Sequence, residues 1–160
     1  MRMVIKIGGN AAESPAIRNS LARQVGKLLE SGHELVVVHG GGKLLTQTLA
    51  RLGLGVEFHQ GLRVTDDATR DVALMVLAGI VNKQWVAAFQ AQGHAAVGIC
   101  GGDAALVRAR PVTASRKDGG KSLGFVGRPV KVETKFLEIA FRERLLPVVA
   151  SVALGPRGEY

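Results

Sequence analysis

Cysteine is almost absent from this chain: Cys100 stands alone among 160 residues. No internal disulfide can form, and a lone thiol with four scattered histidines gives no zinc-ligand spacing, so no metal site is expected. Aromatic residues make up 4% of the chain, so the stacking platforms that single-stranded nucleic acid needs are scarce. Lys and Arg outnumber Asp and Glu by 21 to 13, for a formal charge of +8. These cations are scattered rather than gathered on one helix, so no nucleic-acid partner is expected. The charge favours anions in general, phosphates and carboxylates included. Long hydrophobic runs are lacking too. The longest nearly uncharged stretch, Val72 to Val81, falls far short of the about 20 residues of a membrane helix. The apolar start is short and interrupted by Arg2 and Lys6, so no signal peptide is expected. No membrane partner is expected, and the cysteine usage fits a cytoplasmic protein. The chain also lacks a G-x-x-x-x-G-K-[ST] loop, a G-x-G-x-x-G fingerprint and a nucleophile elbow.

Glycine, by contrast, is plentiful, at 21 residues in a chain that is 47% apolar. This suits one α/β domain with many strand–helix turns. The most informative stretch is Glu34-Leu-Val-Val-Val-His-Gly-Gly-Gly-Lys43. Leu35 to Val38 are β-favouring and apolar on both faces, as in a strand of a parallel sheet. Gly40, Gly41 and Gly42 strip the side chains from its carboxyl end, where open α/β sheets place ligands. Leu44, Leu45, Leu49 and Leu52 follow at helical spacing, so a helix N-terminus faces whatever sits on the glycines. Three glycines in a row favour an anion site over a tight turn. The first strand, Arg2 to Ile7, ends in the same device, Gly8-Gly9, with Lys6 on the face opposite Ile5 and Ile7. Two such ends suggest one shared anion site with Lys6 as its point charge. His39 reads either as a base or as a structural hydrogen-bond partner.

Ser14 and Pro15 start a helix that Gly32 stops. Gly53-Leu-Gly55 ends the next one. Val56 to Gly61 and Leu62 to Val64 read as a short hairpin turning at Gln60-Gly61. Arg63 within it is either an exposed strand arginine or a fork for a carboxylate. Thr65 is the expected cap of a long helix from about Asp66 to Gln90. Its uncharged part, Val72 to Val81, is buried in the core by default, a dimer seam being the alternative. Further strands are expected at Ala95–Cys100, Ala105–Arg110, Phe125–Val132 and Leu146–Leu154. A helix is expected over Glu133–Arg144, a mobile loop over Pro111–Lys121 and a turn at Gly155–Gly158.

Five motifs in order, Lys6-Ile-Gly-Gly-Asn-Ala11, Val38-His-Gly-Gly-Gly42, Gly61-Leu-Arg-Val-Thr65, Leu77-Ala-Gly-Ile-Val-Asn-Lys83 and Val97-Gly-Ile-Cys-Gly-Gly-Asp103, resemble the acetylglutamate kinases of the amino-acid kinase family. The resemblance runs the length of the chain. It implies ATP-dependent phosphorylation of the side-chain carboxylate of N-acetyl-L-glutamate, a step of arginine biosynthesis, with Mg2+ accompanying ATP. By that resemblance Lys6 is catalytic, and Gly8, Gly9 and Gly41 bind the phosphoryl group. Gly41, Gly42 and Arg63 hold the substrate, the arginine on its α-carboxylate.

The resemblance further implies a three-layer αβα sandwich around a mainly parallel sheet, with residues 1–160 forming the N-terminal substrate-binding and dimerisation lobe. The family's later motif, its second catalytic lysine and its nucleotide lobe do not occur in this sequence, so the chain alone is expected to be inactive. A homodimer insensitive to arginine is implied, because no helix precedes the first strand. The alternatives are a sister kinase acting on an aminoadipate derivative or carbamate, and a non-catalytic module for acidic metabolites.

Overall fold

A four-stranded sheet organises the chain, in the order β1 (Arg2–Ile7), β2 (Glu34–His39), β8 (Leu146–Ala150), β5 (Ala96–Cys100), and every pairing is parallel. The structure is a computed structural model describing residues 1–8, 14–113 and 122–160. Three layers result. On one face, α1 (Pro15–Glu30), the helical run from Asp67 to Gln90 and part of α2 (Gly42–Arg51) cover Leu35, Val37, Leu146 and Val148. On the other, Phe136, Leu137 and Phe141 of α5 (Lys135–Arg142) cover Val36, Ile99 and Val149. The central strands are therefore buried on both faces. This is why Leu35 to Val38 show no polar alternation.

The local signals act as their chemistry requires. The Ser14 hydroxyl accepts from the Ile17 amide and Pro15 opens α1, while Gly32 takes φ +78° just past its end. Gln60 and Gly61 both have positive φ in the two-residue turn between β3 (Phe58–His59) and β4 (Leu62–Arg63). That is the backbone hand a tight hairpin needs.

Four expectations are corrected. The cap of the long helix is Asp66, not Thr65: its carboxylate accepts from the Thr69 amide at 2.8 Å, while the Thr65 hydroxyl donates to the Arg63 carbonyl. A carboxylate is the stronger acceptor at a helix N-terminus. The helix itself is not uniform, because α3 (Asp67–Ala73) and α4 (Asn82–Gln90) flank a π-helical segment, Leu74–Val81. Nor is that segment buried all round: Val76 and Val81 lie in the core, but Met75 is 59% and Ile80 49% exposed. Third, Pro111 does not begin a loop, since β6 (Val107–Thr113) runs through it and pairs antiparallel with β7 (Ser122–Val132). The remainder of the expected loop, 114–121, lies outside the described residues. Finally, β8 ends at Ala150 rather than Leu154, its partners β2 and β5 having ended at His39 and Cys100.

The 24-residue run Asp67–Gln90 is long and apolar enough to cross a membrane by length and composition. Its Val72, Val76, Val81, Trp85, Ala88 and Phe89 nevertheless pack into the core beneath the sheet. Asn82, fully buried, donates to strand carbonyls. It is a core helix of this fold.

Candidate functional site

Parallel pairing decides where the glycine corners go. Ile7 sits opposite His39 and the Gly40 amide donates to the Ile7 carbonyl at 3.2 Å, so Gly8 and Gly40 leave the sheet side by side at its carboxyl edge. Lys6 is exposed on the β1 face opposite Ile5 and Ile7, and its register partner on β2 is Val38. Gly9, predicted to bind phosphate, lies outside the described residues. Helix α2 begins at Gly42 with Gly41 as its N-cap, and among the described residues no side chain caps it; a helix start of this kind favours an anion.

Gly41 is glycine for a steric reason as well. A Cβ there would lie 2.8 Å from Leu77 Cδ2 and 3.0 Å from Val81 Cγ2. The corner is thus pressed against the π-helical segment.

Beside this edge opens a cavity of about 720 Å3, with walls from Val38, Leu45, Leu77, Val107, Phe125 and Val149 and charges from Arg63, Arg70, Arg110 and the pair Arg157–Glu159. Of the predicted site residues that are described, only Arg63 lines it; Lys6, Gly8, Gly41 and Gly42 lie at the same sheet edge outside its wall. The Arg63 fork is held in place. Its Nη2 donates to Thr46 Oγ1 at 2.7 Å and, more weakly, to the Gly42 carbonyl at 3.4 Å, and its guanidinium stacks 4.7 Å from the Phe58 ring centroid. Nη1 is buried and has no hydrogen-bond partner among the described residues. A buried, unpaired guanidinium nitrogen is costly unless a ligand completes it. Burial lowers the Arg63 pKa from its ordinary value, yet an arginine stays charged at neutral pH.

The β6–β7 hairpin roofs the cavity. The Thr65 amide donates to the Leu123 carbonyl, and the Phe125 amide donates to the Thr65 carbonyl. Arg70 stacks over Phe125 at 4.3 Å while bridging Asp67 and Asp71. Gly124, at φ +68°, lets the hairpin approach this closely, since any Cβ would strike the Thr65 carbonyl. The result is a cleft with apolar walls and positive charge, suited to a small carboxylate with an apolar portion.

Residues 1–159 match the Amino acid kinase family. The chain belongs to that family. Within it, the chain is 48% identical over its whole length to an acetylglutamate kinase of Acidobacterium capsulatum and 44% to that of Koribacter versatilis. It spans 60% and 59% of their lengths. Among solved structures, a Streptococcus mutans protein superposes with a TM-score of 0.83 at 25% identity, covering 99% of this chain and 61% of that one.

Sequence reasoning missed the side chains that make Arg63 usable. Thr46 and Phe58 carry no motif, and only the fold brings them to the guanidinium. The role of Arg70 and the place of the β6–β7 hairpin over the cavity were missed for the same reason, although strands were expected in both of its arms. Asn82 did give a signal: an amide inside an otherwise apolar helical stretch must find buried partners.

Proposed function

We propose that this lobe binds N-acetyl-L-glutamate in the cavity beside the glycine corners and presents its side-chain carboxylate to the γ-phosphoryl group of ATP. The observation that carries this is Arg63, whose buried Nη1 lacks a partner among the described residues while Nη2 is anchored on Thr46. The substrate's α-carboxylate completes the fork, and the acetyl group lies on the apolar wall. A carboxylate oxygen then attacks the γ-phosphorus, the bond to the β-phosphate oxygen breaks, and an acyl phosphate and ADP result. Charge spread over the transferring phosphoryl oxygens is met by the Lys6 ammonium and by the amides of Gly8, Gly9 and Gly41, since such catalysis is mainly positioning and charge stabilisation. Gly42 takes part in holding the substrate.

Mg2+ would accompany ATP and offset charge on its phosphates, and ATP would be held mainly by residues outside this stretch. Residues 1–160 act as the substrate-binding and dimerisation lobe of a cytoplasmic enzyme. The exposed Met75 and Ile80 form the seam with a second copy.

Two substitutions test the site. Arg63→Ala weakens N-acetyl-L-glutamate binding by about 30-fold or more, the cost of truncating a buried charged partner. Lys6→Ala, placed in an enzyme carrying the nucleotide-binding part, lowers turnover by about 10²–10³ with little change in substrate affinity. Unchanged binding in Arg63→Ala, or a surface-lysine control that loses as much turnover as Lys6→Ala, refutes the assignment. ATP and N-acetyl-L-glutamate that bind without turnover in such an enzyme would favour a non-catalytic module.

A further inference from the structure

His39 ends β2 and is 1% exposed; Asn82, at the start of α4, is 0% exposed. Their contacts settle both orientations. The Lys83 ammonium donates to Asn82 Oδ1 at 3.3 Å, so the Asn82 amide nitrogen faces the other way. That nitrogen lies 2.9 Å from the Val148 carbonyl, 3.3 Å from the Ile99 carbonyl and 3.1 Å from His39 Nε2. Because an amide NH2 only donates, Nε2 must accept, and the imidazole proton sits on Nδ1. Nδ1 is 2.9 Å from the Gly40 carbonyl oxygen and donates to it. The Gly40–Gly41 peptide is planar and trans, so its N–H points opposite to its C=O. Drawing the Gly40 carbonyl toward His39 therefore turns the Gly41 amide away from the core, to the side where α2 begins. A peptide between two glycines flips easily unless something fixes it.

We infer that His39, aligned by Asn82, is a positioning residue that holds the Gly40–Gly41 peptide so that the Gly41 N–H faces the bound anion. Asn82 ties this corner to β8 and β5, so the glycine loop is set by three strands of the sheet. The imidazole is not a base in the reaction: its unprotonated nitrogen is taken by Asn82 and its N–H by Gly40. Gly98 on β5 leaves the room for this arrangement, because a Cβ there would strike the Asn82 amide oxygen. The inference rests on the proposed binding of N-acetyl-L-glutamate at this edge.

The side-chain amide of Asn reaches the position of imidazole Nδ1, and that of Gln the position of Nε2. His39→Asn therefore keeps a donor for the Gly40 carbonyl and loses Asn82, whereas His39→Gln does the reverse. The 160-residue chain, labelled with 15N, is titrated with N-acetyl-L-glutamate while the Gly40, Gly41 and Gly42 amides are followed by NMR, and each variant's melting temperature is recorded. The imidazole nitrogens of the unaltered chain are expected to show the Nδ1–H tautomer. His39→Asn retains affinity within about threefold, while His39→Gln loses about tenfold, one charge-assisted hydrogen bond's worth, at a similar melting temperature. Affinities that fall equally in both variants, in step with melting temperature, overturn the inference, as does an Nε2–H tautomer. If the glycine amides of the unaltered chain do not respond at all, the proposed substrate site fails and takes this inference with it. A response that survives unchanged in both variants overturns the positioning role alone.

Discussion

Gly41→Ala tests the packing that shapes the site. The backbone there, φ 170° and ψ 26°, is not in the left-handed region, so the cost of a side chain is steric. The added Cβ would stand 2.8 Å from Leu77 Cδ2 and 3.0 Å from Val81 Cγ2, against the 3.5–4.0 Å at which carbon atoms rest comfortably. The two neighbours are not equally able to retreat. Leu77 is partly buried and offers the far end of a flexible side chain, whereas Val81 is 0% exposed and stiff at χ1. Overpacking of this kind costs about 1–3 kcal/mol. Leu77→Ala alone costs about 2 kcal/mol, the low end of the leucine range, because Leu77 is only partly buried. In the double variant the cavity left at Leu77 receives the new methyl group, so the pair costs about 1 kcal/mol less than the sum of the singles. Urea unfolding followed by the fluorescence of Trp85, the sole tryptophan and 0% exposed, measures each term. Strict additivity within about 0.3 kcal/mol, or a neutral Gly41→Ala, would refute the contact between the glycine corner and the π-helical segment.

Three further outcomes are expected. Hydrogen bonds from the Thr69 hydroxyl and amide hold the Asp66 carboxyl below its ordinary 3.8. Its contribution to stability is therefore full above that pH and fades as pH falls below it. Asp66→Asn keeps a capping acceptor, so its melting temperature should depend less on pH in that window. Burial lowers the His39 pKa from its ordinary 6.5, so the unfolded chain takes up the proton first. Stability should decline as pH drops below about 6.5, a slope that urea midpoints detect and that His39→Asn flattens. Gly98→Ala displaces Asn82 and should destabilise by about 1–3 kcal/mol, with the His39 ring nitrogens shifting in the NMR spectrum; a neutral effect on both would contradict the buried network.

How much of this was legible beforehand depended on the range of each interaction. Ser14 with Pro15, the Gln60-Gly61 turn, and the strand-to-glycine runs at Gly8 and Gly40 act through bonds a few residues long, so composition and spacing reveal them. The helix from Asp66 onward was legible in extent. Its cap was misplaced by one residue because Thr65 and Asp66 are both good caps, and Thr65 is held elsewhere by its pairing with Leu123 and Phe125. Its π-helical middle left no periodic trace.

What the sequence determined by itself was the list of parts: parallel strands apolar on both faces, strand ends bearing glycines, one arginine in a hairpin and a charge balance favouring anions. Only the tertiary structure decided which of them meet. Parallel pairing of β1 with β2 put the two glycine ends side by side. Folding of α2 against the β3–β4 hairpin brought Thr46 to Arg63 and left one guanidinium nitrogen without a partner among the described residues. The packing of the long helix beneath the sheet carried Asn82 to His39, 43 positions earlier in the chain. Contacts between residues that far apart depend on the geometry of the packed layers, which no local stretch of sequence encodes.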